Sequence, residues 1–436
     1  MIRLLKCTLE VSPLCLAMAV NMTLEELKQY KKILLLGFGR EGKNTLNFLS
    51  HFLPEVEIGI ADQKLDSGYL EKQKDYDLII RSPGIIKKLI TKSYTTATNI
   101  FFANAKGKII GITGSKGKST ISSLIYMILK EAGLTAELIG NIGRPMLQTL
   151  LHDNSPEKIY VVELSSYQLD DIRYSPHISL WINFFPDHMD YHGGIEEYWR
   201  AKTGIISQAR PEDHFVYNQD FLELAKFAET VKPKVKVTPF VEDLPFSKDI
   251  VPLLGQHNLD NVRAALTVGK ILKIPVDIME HAVHNFKPLP HRLEYVGEYK
   301  GIIFYDDAIS TTPESTIAAI KSFLFIDTLI LGGQDRGYNF SKLAEEVFKG
   351  KIPNLILFPD SGERIKQEIY LAGSRFVKMP RIFQTASMEE AVKFVYAHSP
   401  AGAICLLSCA SPSYTLWKNF EEKGDQFQYF VKKNGE

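Results

Sequence analysis

Short, almost unbroken apolar runs recur along the chain, each closed by glycine or polar residues. Residues 32–36, 77–80, 108–112, 159–164 and 178–183 have this form, as do 302–305, 328–331, 355–358 and 403–407. Runs so short, with no polar residue at alternate positions, predict strands buried on both faces, as in parallel sheets. Residues 56–61 read as a further strand that stops at Asp62. Stretches with helical spacing lie between them, and 258–272 is a clear one. Strand and helix in alternation predict an α/β fold.

Length then sets the number of units. With 436 residues and roughly 150 per domain, about three domains are expected. We place them at 22–104, 105–288 and 289–436. Phe286-Lys287-Pro288-Leu289-Pro290 is the expected linker, because two prolines interrupt helix there. Residues 1–21 read as an extension, from a misplaced start or a short added segment. Arg3 and Lys6 before the apolar run 11–20 loosely imitate a secretion signal, but Met22 opens TLEELKQYKK, a capped helix start. No other segment is long and apolar enough to span a bilayer. The chain has no internal repeat.

Charge narrows the partners. Lys plus Arg and Asp plus Glu each number 51, and charged residues make up 23%. A balanced chain has no overall field to attract nucleic acid or an acidic membrane. Any anion must be held by a local site. The four cysteines, Cys7, Cys15, Cys405 and Cys409, form neither a disulfide framework nor a metal motif. A reducing cytoplasm is the expected setting.

Two glycine turns carry the candidate chemistry. Gly114-Ser115-Lys116-Gly117-Lys118-Ser119-Thr120 follows the strand at 108–112 and opens a helix. Backbone N–H groups in such a turn can face phosphate oxygens, and the helix N-terminus favours negative charge. Lys118 would reach the β- and γ-phosphates of a bound nucleotide, and the Ser119 hydroxyl would ligate Mg²⁺. Ile112 stands where the usual phosphate-loop pattern has its first glycine. The second turn, Gly37-Phe38-Gly39-Arg40-Glu41-Gly42, is less specific. Alone it fits a nicotinamide or flavin dinucleotide site, or simply a tight strand-to-helix turn.

Taken together, the blocks resemble one family. GITGSKGKST, Asn141-Ile142-Gly143, ELSSYQLD from Glu163, NFFPDHMDYH from Asn183, Lys202, GQHNLDN from Gly255 and PHR ending at Arg292 are similar in order and spacing to the Mur ligases. LGGQDRG and NFEEKGDQF agree. The resemblance runs from Met22 to the end. It implies three α/β domains: a Rossmann-like domain for the UDP end of the substrate, a central P-loop ATPase-like domain, and a C-terminal Rossmann-like domain for the amino acid. The implied reactants are UDP-N-acetylmuramoyl-L-alanine, glutamate and ATP, with Mg²⁺, in a cytoplasmic monomer.

The resemblance also implies roles. Gly37, Phe38, Gly39 and Arg40 would face uridine diphosphate, with Asp62 and Ser82-Pro83-Gly84 at the uridine. Asn141, Ser165 and Gln168 would contact the rest of that substrate. Ser119, Glu163, His188 and Lys202 would hold metal, Lys202 after carbamylation by CO₂. Gly114 to Thr120, Asn258, Asn261, Arg292 and Asp307 would bind ATP. The implied reaction phosphorylates a carboxylate, and an amine then displaces the phosphate.

Glutamate would fall to Thr311, Arg336, Ser413 and Phe420. Here the chain departs from the family pattern. Asp306-Asp307-Ala308-Ile309-Ser310-Thr311-Thr312 carries Ile309 where the family usually has lysine. D-glutamate is the expected substrate, with L-glutamate the alternative. Rival readings are a folylpolyglutamate synthase, a nicotinamide-dependent dehydrogenase and a non-catalytic nucleotide-binding protein. The first would leave 22–104 unused, and the dehydrogenase would leave Lys118, Glu163 and Lys202 without roles.

Overall fold

The computed structural model describes residues 22–436, apart from Arg375 and Val377. The expected extension over 1–21, with Cys7 and Cys15, lies outside the described residues. The chain forms two compact units. One comprises residues up to Phe246 together with Asn261–Val283; the other comprises Ser247–Asp260 and His284–Glu436. The expected linker, 286–290, has neither helix nor strand. Among the described residues no helix is long and apolar enough to cross a membrane.

The first unit holds two parallel sheets. One contains β1 (Lys32–Leu36), β2 (Glu57–Ala61), β3 (Leu78–Arg81) and β4 (Tyr94–Thr95), in the order β2-β1-β3-β4. The other contains β5 (Lys108–Thr113), β6 (Ala136–Gly140), β7 (Ile159–Glu163), β8 (Ile178–Trp181), β9 (His214–Tyr217) and β10 (Lys236–Pro239). Its order is β10-β9-β8-β5-β7-β6. The chain leaves β5 in one direction and later returns to build the other side, so the switch point lies between β5 and β8. Crevices at such points, beyond the strand C-termini, are where open α/β sheets bind ligands.

The second unit holds one sheet: β11 (Glu294–Tyr299), β12 (Ile302–Asp307), β13 (Thr328–Gly332), β14 (Asn354–Phe358), β15 (Arg381–Gln384) and β16 (Ile404–Ser408). Its order is β11-β12-β16-β13-β14-β15. β11 is antiparallel to β12, and the other pairs are parallel.

Alternation along the apolar runs divides each strand between two cores. Leu329 and Leu331 of β13 and Leu355 and Leu357 of β14 enter one cluster. Ile330, Ile356 and Phe358 enter the cluster on the opposite face. In the first unit, Ile33 and Leu35 share a cluster with Tyr160 and Val162 of the neighbouring sheet. The helix Ala97–Asn104 makes that continuity. Its Phe101 is fully buried and meets Tyr160 edge-on, 5.2 Å between ring centres. Three sheets in two units leave our boundaries at 104/105 and 288/289 as a proposal for how the fold is parcelled.

Phe101→Ala should therefore destabilise the first unit by ~3–5 kcal/mol. Denaturant titration in a Trp417→Phe background reads this, because the remaining tryptophans, Trp181 and Trp199, lie in that unit. A midpoint equal to that of the background protein would contradict the shared core.

Candidate active site

The Gly37–Gly42 turn leaves β1 and is fixed by its own polar groups. Gly37 has φ +93°, and a Cβ there would lie 2.7 Å from the Ser82 side chain. Glycine is required on both counts. Asp62 accepts hydrogen bonds from the N–H groups of Phe38, at 2.6 Å, and Lys64, at 2.9 Å. These bonds hold its carboxyl below the usual aspartate range. Ser82 Oγ donates to the Gly37 carbonyl at 2.8 Å. Asp62 and Ser82 thus brace the turn, while Arg40, Pro83 and Gly84 line the cavity beyond it.

The second turn leaves β5 at the switch point. Gly117 is left-handed, with φ +85°, and caps the helix Lys118–Glu131. A Cβ at Gly117 would approach Asn261 Oδ1 to 2.7 Å, so the expected Asn261 stands beside this turn. Asn183 Oδ1 accepts from the N–H groups of Ser115 and Lys116, both at 2.9 Å. Those two donors brace the loop and do not face a ligand. Lys118 Nζ folds onto the loop, donating to the carbonyls of Gly114 and Ser115 at 2.9 and 3.1 Å. Ser119 and Thr120 are buried in the first helical turn.

Carboxylate and histidine candidates end the neighbouring strands. Glu163 closes β7 and is 2% exposed. Its Oε1 accepts from Asn141 Nδ2 at 3.1 Å, while its buried Oε2 has no hydrogen-bond partner. A buried carboxylate oxygen left unpaired is costly and suits a hard cation. The Ser119 hydroxyl, in the first turn of the helix that follows the adjacent strand β5, is a second oxygen donor of the kind that suits Mg²⁺. His188 follows β8 in a left-handed conformation, φ 55°. Burial lowers its pKa, Asp187 opposes that, and Lys118 and Lys116 add to it. The neutral imidazole is the ligand form.

Lys202, on the helix Ile195–Thr203, is 1% exposed. Its Nζ donates to the Gly114 carbonyl at 2.9 Å and lies 4.8 Å from the centre of the Tyr198 ring. Burial and then the Lys118 charge hold its amine well below the ordinary lysine value.

Several of these groups line one cavity of about 430 Å³. Arg40, Pro83 and Gly84 form one part of its lining. Gly114, Lys118, Asn141, Ser165, Gln168, His188 and Lys202 line it too. Arg40 Nη2 also donates to the Gly143 carbonyl at 2.8 Å, tying the first turn to the Asn141-Ile142-Gly143 loop. Our sequence reading missed several residues. Glu41 lines the cavity, and burial raises its carboxyl to about 7, only partly offset by the Gln168 amide and the Arg81 charge. Tyr198 lines the cavity and holds Ser115 Oγ at 3.0 Å. Asn183 braces the loop as described. Glu41 was visible as the acidic position of the glycine turn; the other two give no sequence signal beyond the blocks they sit in.

The remaining candidates belong to the second unit. Asp307 ends β12 and accepts from Ser408 Oγ at 2.7 Å. Burial raises its carboxyl to about 7. Thr311 follows β12, Arg336 is exposed in the loop after β13, and Ser413 lies in the loop after β16. Ser413 Oγ is buried without a partner. Phe420 starts the helix Phe420–Gly435. Asn258 donates to the Leu254 carbonyl at 2.7 Å, and Arg292 is partly exposed beside β11. Thr311, Arg336 and Ser413 thus share the C-terminal side of three adjacent strands.

Comparison with known proteins agrees with this geometry. Residues 112–243 match the Mur ligase middle domain. The chain is 31% identical to the UDP-N-acetylmuramoylalanine–D-glutamate ligase of Aquifex aeolicus, covering 92% of this chain and 98% of that one. It is 32% identical to the enzyme of the same name from Acetivibrio thermocellus, over 84% and 85% of the two chains. Among solved structures, MurF from Acinetobacter baumannii superposes with a TM-score of 0.63 at 16% identity, over 94% of this chain and 98% of that one. MurC from Thermotoga maritima gives 0.60 at 16%, over 92% and 99%. A folylpolyglutamate synthase of Mycobacterium tuberculosis covers only 74% of this chain, at 0.54 and 14%. The structural matches bear on the fold alone, whereas identity over nearly the whole length decides the family: the chain belongs to the Mur ligases.

Proposed function

We propose that the protein is an ATP-dependent ligase that joins glutamate to UDP-N-acetylmuramoyl-L-alanine, a step of peptidoglycan precursor synthesis. One observation carries this reading. A single cavity is lined both by residues of a glycine turn and by Lys118, His188 and Lys202. A nucleotide-linked acid fits such a space with its carboxylate near Lys118 and near the metal that His188 and Lys202 would help to hold. The dehydrogenase reading gives Lys118, His188 and Lys202 no work, and the close relatives are named as ligases. We expect a cytoplasmic monomer.

A carboxylate resists attack by an amine until it carries a leaving group. The terminal phosphoryl group of ATP supplies one, giving an acyl phosphate and ADP. The amine of glutamate then adds to the carbonyl, loses a proton, and expels phosphate as the amide forms. Several anions must meet, so fixed positive charge is the main catalytic requirement. Lys118 and the N-terminus of its helix would answer the ATP phosphates. Mg²⁺, held by Ser119, Glu163 and His188, would supply further positive charge at the transferring phosphoryl group.

Lys202 would serve after carbamylation. The neutral amine attacks CO₂, a C–N bond forms, and a proton is lost, leaving an anion in place of a cation. Its depressed pKa favours the reactive form. Such an anion would help to hold the metal.

Glu41 makes this cavity sensitive to pH. Its folded value, about 7, lies above the model 4.5. The folded state therefore binds that proton more tightly than the unfolded chain. The resulting stability is complete below pH 4.5 and is lost as pH rises through 7.

Three measurements test these points. Purified protein with UDP-N-acetylmuramoyl-L-alanine, Mg²⁺ and ATP should release phosphate and form the longer product with D-glutamate, and far less with L-glutamate. Phosphate release without a new amide would sink the ligase reading, and preference for L-glutamate would reverse the stereochemistry. Lys202→Ala should lose on the order of a hundredfold or more in kcat, with partial recovery in formate or acetate; full activity would end the carbamate role. Glu41→Gln should gain in Tm relative to the parent as pH is raised from 5 to 8. A constant difference would show that Glu41 does not titrate there.

A further inference from the structure

Arg81 is the last residue of β3, and its side chain is fully buried. A charged group at the end of an apolar strand needs a reason. Its partners come from three separate stretches. Nη2 pairs with Asp171 Oδ2 at 2.6 Å. Nη1 donates to Tyr191 Oη at 3.1 Å and to the carbonyls of Pro83, at 3.4 Å, and Ile85. Nε is buried with no partner.

Each stretch leads to the cavity. Pro83 and Gly84 line it directly. Asp171 closes the short segment that begins with Ser165 and Gln168, both of which line it. Tyr191 packs edge-on against Tyr167, 4.3 Å between ring centres. Tyr167 in turn lies 4.9 Å from the His188 ring. One planar guanidinium therefore touches the turn at the expected uridine end and, through two aromatic rings, the histidine at the reacting end. A neighbouring pair, Lys87 with Asp170 at 2.7 Å, ties the same two stretches.

Stability alone does not account for the arrangement. A buried ion pair repays its desolvation poorly, and an apolar pair of similar volume is often as stable. The unpaired Nε adds to the cost. What the guanidinium offers is a fixed fork that only arginine has. We propose that Arg81 is a positioning residue: it sets the spacing between the uridine end and the reacting end of the cavity, and so the affinity for the UDP-linked substrate, without touching that substrate. This rests on the ligase reading above.

The test separates spacing from folding. Tyr191→Phe removes one partner of the fork and keeps the ring. It should raise KM and the calorimetric Kd for UDP-N-acetylmuramoyl-L-alanine roughly 3- to 30-fold, leave KM for ATP unchanged and hold Tm near the parent. The double variant Arg81→Met with Asp171→Leu removes both charges. It should fold with near-parental Tm and still bind the UDP-linked substrate weakly. Arg81→Lys should keep the charge but not the affinity. Parental affinity in both Tyr191→Phe and the double variant would overturn the proposal. So would weakening for ATP and the UDP-linked substrate alike, which marks a general structural fault. The calorimetric arm needs no turnover. A parent protein that binds but makes no amide would refute the ligase reading and still leave Arg81 judged.

Discussion

The Lys202 amine is buried beside the Gly114 carbonyl, with no carboxylate within salt-bridge distance among the described residues. Much of the first unit follows from that constraint. A buried charge left unanswered is expensive, and a lysine escapes the expense by giving up its proton. Lys116 and Lys118 stand on the same loop, and Asp187 pairs with Lys116 at 3.5 Å. Positive charge is therefore concentrated at the C-terminal end of β5, where the sheet changes direction. A neutral Lys202 lowers the repulsion within that group. Glu163, with its unpaired oxygen, completes a site whose polar groups are not satisfied by the protein alone.

The phosphate loop shows how this is kept rigid. Asn183 accepts two loop N–H groups and donates to the Lys116 carbonyl at 3.0 Å. Ser115 Oγ is shared with Phe185 and Tyr198. The stretch after β8 thus clamps the stretch after β5, and His188 is carried on the clamp. Preorganisation of this kind matters where charge develops during reaction, because dipoles already in place need no rearrangement.

Legibility from the sequence followed burial. β1, β5, β7, β8, β13, β14 and β16 lie inside their sheets, and their unbroken apolar runs announced them. β6, β10, β11 and β15 lie at sheet edges. There one flank is free, and residues such as Glu137, Lys236, Glu298 and Arg381 break the run. β9 is internal, but its ends are His214 and Tyr217 and only Phe215 and Val216 between them are buried. The candidate site divides in the same way. Lys118, His188 and Lys202 were legible because each sits in a distinctive block. Arg81 was not, since nothing local distinguishes a buried arginine from a surface one. Its meaning depends on Asp171 and Tyr191, ninety or more positions away.

In our proposed reading the second unit holds glutamate, and it would do so without a lysine at 309. Lys423 is another lysine in this unit, yet it is fully buried. It donates to the Gly332 carbonyl at 2.9 Å and lies 4.5 Å from the Trp417 ring centre. Those contacts commit it to the base of the loop after β13, so it is poorly placed to replace a lysine that would face ligand. Arg336, on the same loop, is exposed and bonds the Gln334 side chain at 3.2 Å. A guanidinium is the better two-pronged partner for a carboxylate, and Ser413 Oγ offers an unpaired hydroxyl nearby in the strand order. Charge recognition in our reading therefore passes from position 309 to the loop after β13, and Lys423 acts by fixing that loop.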